Sequence, residues 1–242
     1  VDVPGRGPRA ATADTELLGQ CEVGDSVIVN TQAADLSLGS GGFDVVHVNL
    51  TRGLGGKGVP GAHVMKLNYS SLQHAVLPVE DGSDAPPPPR PVGVCFLHGQ
   101  LAPFAWAVAR GRQGTRLGYI QGGGGALPGG HSRTVIELRE QGLLAGTITA
   151  GASYGGEAEA ITLAGGIAHG IGELGWDAAV VAPGPGIIGS GSRLGHGGMA
   201  ALDAAHTALA LGCPVVVAPR MSNGDARDRH QGCSHHTQTV LD

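Results

Sequence analysis

From residue 92 onward the chain alternates between short apolar runs and longer stretches with apolar residues at helical spacing. Residues 92–97, 116–120, 146–150, 177–182 and 214–218 are runs rich in β-branched and small apolar residues and bounded by glycine or polar residues, the form of a strand buried on both faces. Between them, residues 101–110, 132–141, 157–175 and 198–212 predict helices, with Ser132 as an N-cap and Met199, Leu202, Ala205 and Leu209 on one stripe. Five strands alternating with helices predict an α/β fold with a mainly parallel sheet flanked by helices. Each run ends in small or polar residues: His98-Gly99-Gln100, Gln121 with 122–125, 151–156, 184–198 and 220–223. In a parallel sheet these segments share the carboxyl edge, where open α/β sheets bind ligands.

The first part of the chain lacks helical periodicity. Residues 16–50 alternate over short stretches, with turns at Gly24-Asp25 and at 39–42, and predict a small β-rich N-terminal domain at 1–60 ahead of an α/β domain at 61–242. Residues 1–12 predict a disordered lead-in. Residues 51–61 form a glycine-rich connection, 63–80 predict two short strands broken near 69–72, and the proline run in 81–91 predicts an extended loop or linker.

Composition narrows the function classes. Glycine accounts for 44 of 242 residues without a Gly-X-Y period, and 41% hydrophobic content argues for a folded chain with glycine-rich loops. A net charge of −5 leaves no basic face for nucleic acid. No apolar run reaches the roughly 18 residues of a membrane span, so the expectation is a cytoplasmic protein without a membrane partner. Cys21, Cys95, Cys213 and Cys233 are widely spaced and form no C-x-x-C pair, as reduced thiols would be. The small residues of 200–210 allow a homodimer or burial against the sheet.

Four stretches carry candidate chemistry. Residues 184–189 spell G-x-G-x-x-G, but the next helix starts too late and the expected acidic residue is missing, so a dinucleotide fingerprint is not supported. Further on, Gly189, Ser190, Gly191, Ser192 and Arg193 offer backbone N–H groups, two hydroxyls and a guanidinium ahead of a helix, a setting for phosphate or carboxylate. With His196, Tyr154 and His98 they would wall a common cleft; the structural reading is a long ordered turn.

Residues 151–155 spell G-x-S-x-G and make Ser153 a candidate nucleophile near His98. Asp225, Asp228, His230, His235 and His236 crowd into one later segment, however, which does not place acid and base separately. Glu157 and Glu159 are expected to open a helix, stabilised by its dipole, with Glu157, facing the carboxyl-edge cleft, a candidate general base. The segment 225–237 combines His230, His235, His236 and Cys233. The spacing matches no helical ligand pair, so the expectation is that no metal is bound, with His230, His235 and His236 the candidates if one is. In the structural reading Ser234 caps a helix whose first turn holds His235 and His236.

The segments HVMKLNYSSLQ, FLHGQLAPFAWA, GALPGGHSRTV, TAGASYGGEAEAI, GPGIIGSGSRLGHGGMAALD and RMSNGDARDRHQGCSHHTQTVL together resemble an uncharacterised bacterial family, domain of unknown function 3866. The likeness runs from about residue 24 to the end. It implies no established activity or cofactor, and because members extend beyond both ends the chain resembles a fragment. From the sheet edge and the 189–193 loop, the expectation is a protein that binds a small anionic ligand, phosphate or carboxylate, at the carboxyl edge of an α/β domain. A serine hydrolase using Ser153 and a non-catalytic interaction module are the alternatives.

Overall fold

The alternating residues near the amino end pair into short strands. The computed structural model describes residues 1–37, 42–53, 58–82 and 85–242, and the chain divides into the units Val1–Ala75 and Val76–Asp242. The boundary expected at 60/61 falls inside the first unit. The turn expected at 39–42, the middle of the 51–61 connection and the start of the proline-rich segment lie wholly or partly outside the described residues.

In the first unit β1 (Asp2–Val3) and β2 (Gly7–Pro8) are antiparallel, and β3 (Ala11–Thr12), β4 (Val27–Asn30) and β5 (Asp44–Asn49) form a sheet in the order β3-β5-β4. Single-turn helices α1 (Thr15–Leu18) and α2 (Gln32–Asp35) intervene. A ribbon of β6 (Val64–Lys66) with β7 (His74–Val76) closes the unit, matching the two strands expected there. The disordered lead-in expected for 1–12 is corrected: β3 lies parallel to β5, and the Arg9 guanidinium holds both oxygens of the buried Asp44. That partner is 35 residues away, so local composition gave no sign of it.

The second unit runs β8 (Val92–Cys95), α3 (Leu101–Gly111), β9 (Leu117–Gly122), α4 (Arg133–Glu140), β10 (Gly146–Ala150), β11 (Ala158–Ala160), α5 (Leu163–Gly172), β12 (Ala178–Pro183), α6 (Ala200–Ala210) and β13 (Val215–Ala218). It ends with a two-stranded ribbon, β14 (Met221–Ser222) with β15 (Gly232–Cys233), and α7 (His235–Leu241). The six-stranded sheet has the order β11-β10-β9-β12-β8-β13 and every neighbouring pair is parallel. The α/β fold with a parallel sheet is thus as expected, with one more strand than the pattern predicts.

Strand residues alternate between two cores. Cys95, Leu117, Tyr119, Val180 and Ala182 face α3 and α4, whereas Val92, Val94, Ile120, Ile148, Ala179 and Val181 face α5 and α6. From β8 the chain passes through α3 and over β12 to reach β9; from β12 it passes through α6 and over β8 to reach β13. The two connections leave in opposite directions. The carboxyl ends of β8 and β12 therefore flank a topological switch point, the usual ligand crevice of an open sheet.

The helix expected at 157–175 is also corrected, since it starts only at Leu163. Ala158–Ala160 instead extends the sheet, pairing with Ile148–Ala150, and Thr162 caps α5 by accepting the N–H of Gly165. Among the described residues no helix is long and apolar enough to cross a membrane.

Trp176 decides the packing beneath α5. A Cβ on Gly118 would lie 1.9 Å from its ring, and one on Gly170 2.4 Å. Strand and helix carry glycine there because the indole occupies the space between them. Gly118→Ala is expected to lower unfolding free energy by about 1–3 kcal/mol through overpacking, read as a reduced urea midpoint. An unchanged midpoint would contradict this packing.

Candidate functional site

The loops at the carboxyl edge are locked together through their backbones. A Cβ on Gly124 would meet the Gly197 carbonyl at 2.2 Å, and one on Gly197 would meet the Gly124 carbonyl at 1.8 Å. Likewise a Cβ on Gly184 would meet the Ala126 carbonyl at 2.1 Å, so the first glycine of the G-x-G-x-x-G run serves close backbone approach. The N–H of Ala126 donates to the Pro185 carbonyl at 2.8 Å, and buried Gln121 donates through Nε2 to the carbonyls of Ala126 and Leu127 at 3.0 Å each. The loop after β12 is thereby pinned over the sheet. At the same edge, the ends of β9, β10 and β12 and the start of α6 line a half-open pocket of about 220 Å³, with Gly122, Gly151, Pro183, Ala200 and Asp203 among its residues.

Within that loop Gly189 bridges to His196, the Ser190 N–H donates to the Gly195 carbonyl at 2.7 Å, and the Gly197 N–H donates to the Ile188 carbonyl at 2.6 Å. The Ser190 hydroxyl also donates to the Gly195 carbonyl, while Ser192 Oγ lies 2.9 Å from Ser190 Oγ and accepts the Gly195 N–H. Exposed Arg193 pairs with Asp242 at 2.7 Å. These contacts close the loop on itself. What it presents to the interior is His196, which is buried.

Opposite His196 stands the start of α7. Ser234 caps the helix as expected, its Oγ accepting the N–H of His236, and its own N–H donates to the Arg220 carbonyl at 2.9 Å. The rings of His196 and His236 stack with centroids 4.0 Å apart, and His235 stands 5.0 Å from His196 and 4.4 Å from His236. His230, at the end of a single turn over Asp228–His230, packs 4.9 Å from His235 and 5.0 Å from His236, with Nδ1 bonded to Ser234 Oγ at 2.8 Å. One donor nitrogen from each of His196, His235 and His236 fits within a 4.8 Å spread. Cys233 lies outside the set.

The electrostatics favour neutral rings. Both ring nitrogens of His196, Nε2 of His235 and Nδ1 of His236 are buried and have no hydrogen-bond partner among the described residues. The main chain of Arg193 acts on the His196 ring in the opposite sense to burial, favouring its charged form. Burial, followed by repulsion from neighbouring imidazoles and Arg220, pushes His236 down to about 3. Burial, then the charges of Arg220 and Arg227, pushes His230 down to about 4. His196 and His235 are lowered as well, again mainly by burial. A neutral imidazole is the form that ligates metal, and an orphaned buried nitrogen costs about 1–3 kcal/mol unless something meets it.

The other expected residues sit elsewhere. His98 donates from Nδ1 to the Pro183 carbonyl at 3.1 Å, so in the neutral ring Nε2 accepts from Ser132 Oγ at 2.7 Å, and Ser132 in turn caps α4 by accepting the Val135 N–H. Both ring nitrogens are thus engaged at the switch point, and His98 ties β12 to α4. Ser153 is buried and donates to the Gly122 carbonyl at 3.0 Å, joining loops across the edge. Tyr154 is buried, and its backbone pairs with Leu127 and Gly129. Glu157 lies level with Thr147 near the amino end of β10, where it pairs with Arg139 at 2.6 Å and accepts the Thr147 N–H. The general-base reading placed it on the carboxyl-edge cleft and is corrected by that position. Arg220, which the sequence marks only as a strand-end residue, donates its backbone N–H to Thr237 Oγ1 at 2.8 Å, which sets it against the first turn of α7.

The family described as "Protein of unknown function (DUF3866)" matches residues 10–242. This chain belongs to that family. No curated protein and no solved structure matches it. The match spans the whole six-stranded sheet and all four clustered histidines, so the site described above lies within the family domain.

The lowered imidazole pKa values imply an acid-side weakness. Unfolding returns each ring to its ordinary value of about 6.5, so below that pH the unfolded chain binds more protons than the folded one. Stability is then fully present above pH 6.5 and falls as pH drops towards about 4, where His230 itself titrates. The urea midpoint of chelator-treated protein should be flat from pH 8 to 7 and decline between 6.5 and 4.5, with a shallower decline in His236→Gln. Equal slopes for the two proteins would contradict burial of a neutral His236.

Proposed function

We propose that this protein binds one divalent transition-metal ion through His196, His235 and His236 at the carboxyl edge of its parallel sheet, and uses it to hold a small anionic ligand. The observation that carries this reading is the meeting of three histidines from two separate segments, with buried ring nitrogens that have no geometric hydrogen-bond partner among the described residues. Imidazole donors suit zinc, iron, nickel or copper, whereas magnesium and calcium prefer oxygen. Drawing the nitrogens from their 4.8 Å spread to the roughly 3.4 Å separation of a tetrahedral site, with bonds of about 2.1 Å, requires His196 and His236 to turn out of their stacked arrangement so that the ion lies in the plane of each ring.

Three protein donors leave a coordination position open, the pattern of ligand-binding rather than closed structural sites. When bound, such an ion supplies Lewis acidity and lowers the pKa of a coordinated water. The donor set contains no carboxylate, so the full charge of the ion is left for an exogenous anion to balance. That requirement supports the small-anion reading and shifts the anchor from Ser190, Ser192 and Arg193 to the histidines. The chain's own residues keep the imidazoles neutral by burial, orient His236 through the Ser234 cap, and fix His196 through the Gly124–Gly197 contact.

Calorimetric titration of chelator-treated protein with zinc should give close to one equivalent per chain. His196→Ala and His236→Ala are each expected to weaken binding at least 100-fold, while His206→Ala, exposed on α6, leaves it unchanged. Absence of zinc binding in folded wild-type protein, or wild-type affinity in both variants, would overturn the proposal.

A further inference from the structure

Near His235 and His236 lies a guanidinium that the fold leaves half used. Arg220 follows β13 at the carboxyl edge, and its side chain is 15% exposed. Its Nη2 donates to Asp225 Oδ2 at 2.8 Å, while Nη1 is buried with no hydrogen-bond partner among the described residues. Its main chain is fixed at both ends against the first turn of α7, through Thr237 Oγ1 and the Ser234 N–H. Its charge acts on His230, His235 and His236 alike.

Charge counting gives the vacant donor a purpose. Asp225 is shared between two guanidiniums, since Arg227 also holds it through Nε at 2.9 Å and Nη2 at 2.9 Å. One carboxylate against two guanidiniums leaves one positive charge in excess. A third guanidinium, that of Arg229, acts on His235 from near Gly191. A buried cationic N–H left without an acceptor is more costly than a neutral one, and no protein carboxylate in the histidine set is there to meet it.

We propose that Arg220 is the anion-recognising residue of this site, its Nη1 donating to an oxyanion, phosphate or carboxylate, that also occupies the open position on the metal held by His196, His235 and His236. The inference rests on the metal reading given above and adds the ligand class and its second anchor. A guanidinium held through Nη2 by Asp225 is pre-oriented, so little entropy is lost when Nη1 engages the ligand. Lysine would keep the charge but could not hold Asp225 and an anion in that fixed fork.

The test is titration of zinc-loaded protein with inorganic phosphate and, separately, acetate, followed by calorimetry. Wild-type protein should bind at least one of them, and Arg220→Lys should weaken that binding tenfold or more while its zinc affinity stays within threefold. Arg112→Lys, exposed just after α3 and outside the site, should stay within threefold for both. The arm that loses affinity identifies phosphate or carboxylate as the preferred group. Should Arg220→Lys fail to fold, the guanidinium NMR signal of Arg220 in the zinc-loaded wild-type protein should shift with saturating anion. Unchanged anion affinity in zinc-loaded Arg220→Lys, no binding of either anion by zinc-loaded wild type, or an Arg220 signal indifferent to bound anion would each overturn this inference and leave the metal site standing. Failure of wild-type protein to bind zinc would instead fell the metal reading, and this inference with it.

Discussion

The carboxyl edge depends on one close contact, the passage of Gly124 against Gly197. Either Cβ would fall about 2 Å from the facing carbonyl, well inside van der Waals contact, so any side chain there would lift the loop after β12 off the sheet. His196 immediately precedes Gly197, and Gly198 lies so close behind that its Cβ would meet the His196 ring at 2.9 Å. Lifting the loop would carry His196 away from His236. The abundance of glycine in the loops is therefore a packing requirement with a chemical result: backbones approach until an imidazole from one connection stacks on an imidazole from another.

The sheet sets the stage for that contact. Six parallel strands place every βα connection on one side, and β12 lies between β8 and β9 so that connections leave the β8/β12 crevice in opposite directions. His98 and Gln100 secure this crevice, His98 through the Pro183 carbonyl and Ser132, and Gln100 by donating to the Ala218 carbonyl at the end of β13. These polar side chains after β8 serve the scaffold. The chemistry is displaced to the loop after β12 and the segment after β13.

Much of the sheet was legible in the sequence because strands covered by helices on both faces appear as continuous apolar runs; the five runs correspond to β8, β9, β10, β12 and β13. The sixth strand, Ala158–Ala160, was not legible: three residues carry no period, and their only mark was Thr162, a cap signal placed five residues after the expected helix start. The order of strands was likewise hidden, since it follows from the directions of the crossovers. At the site, His196 and the histidines of 230–236 were both visible, but local ligand spacing could not join them. They meet because one lies after β12 and the others follow β13, on the same edge. Ser190 and Ser192, which the sequence offers as anion ligands, meet the backbone of their own loop in the structure.

The central claim is that His196, His235 and His236 share one metal ion. X-ray absorption at the zinc edge of protein loaded with one equivalent tests it directly. The account predicts a first shell that includes three nitrogen donors at about 2.0–2.1 Å, with the multiple-scattering pattern of imidazole, and loss of one imidazole in His196→Ala. A shell dominated by sulfur, or an unchanged imidazole count in that variant, would contradict it.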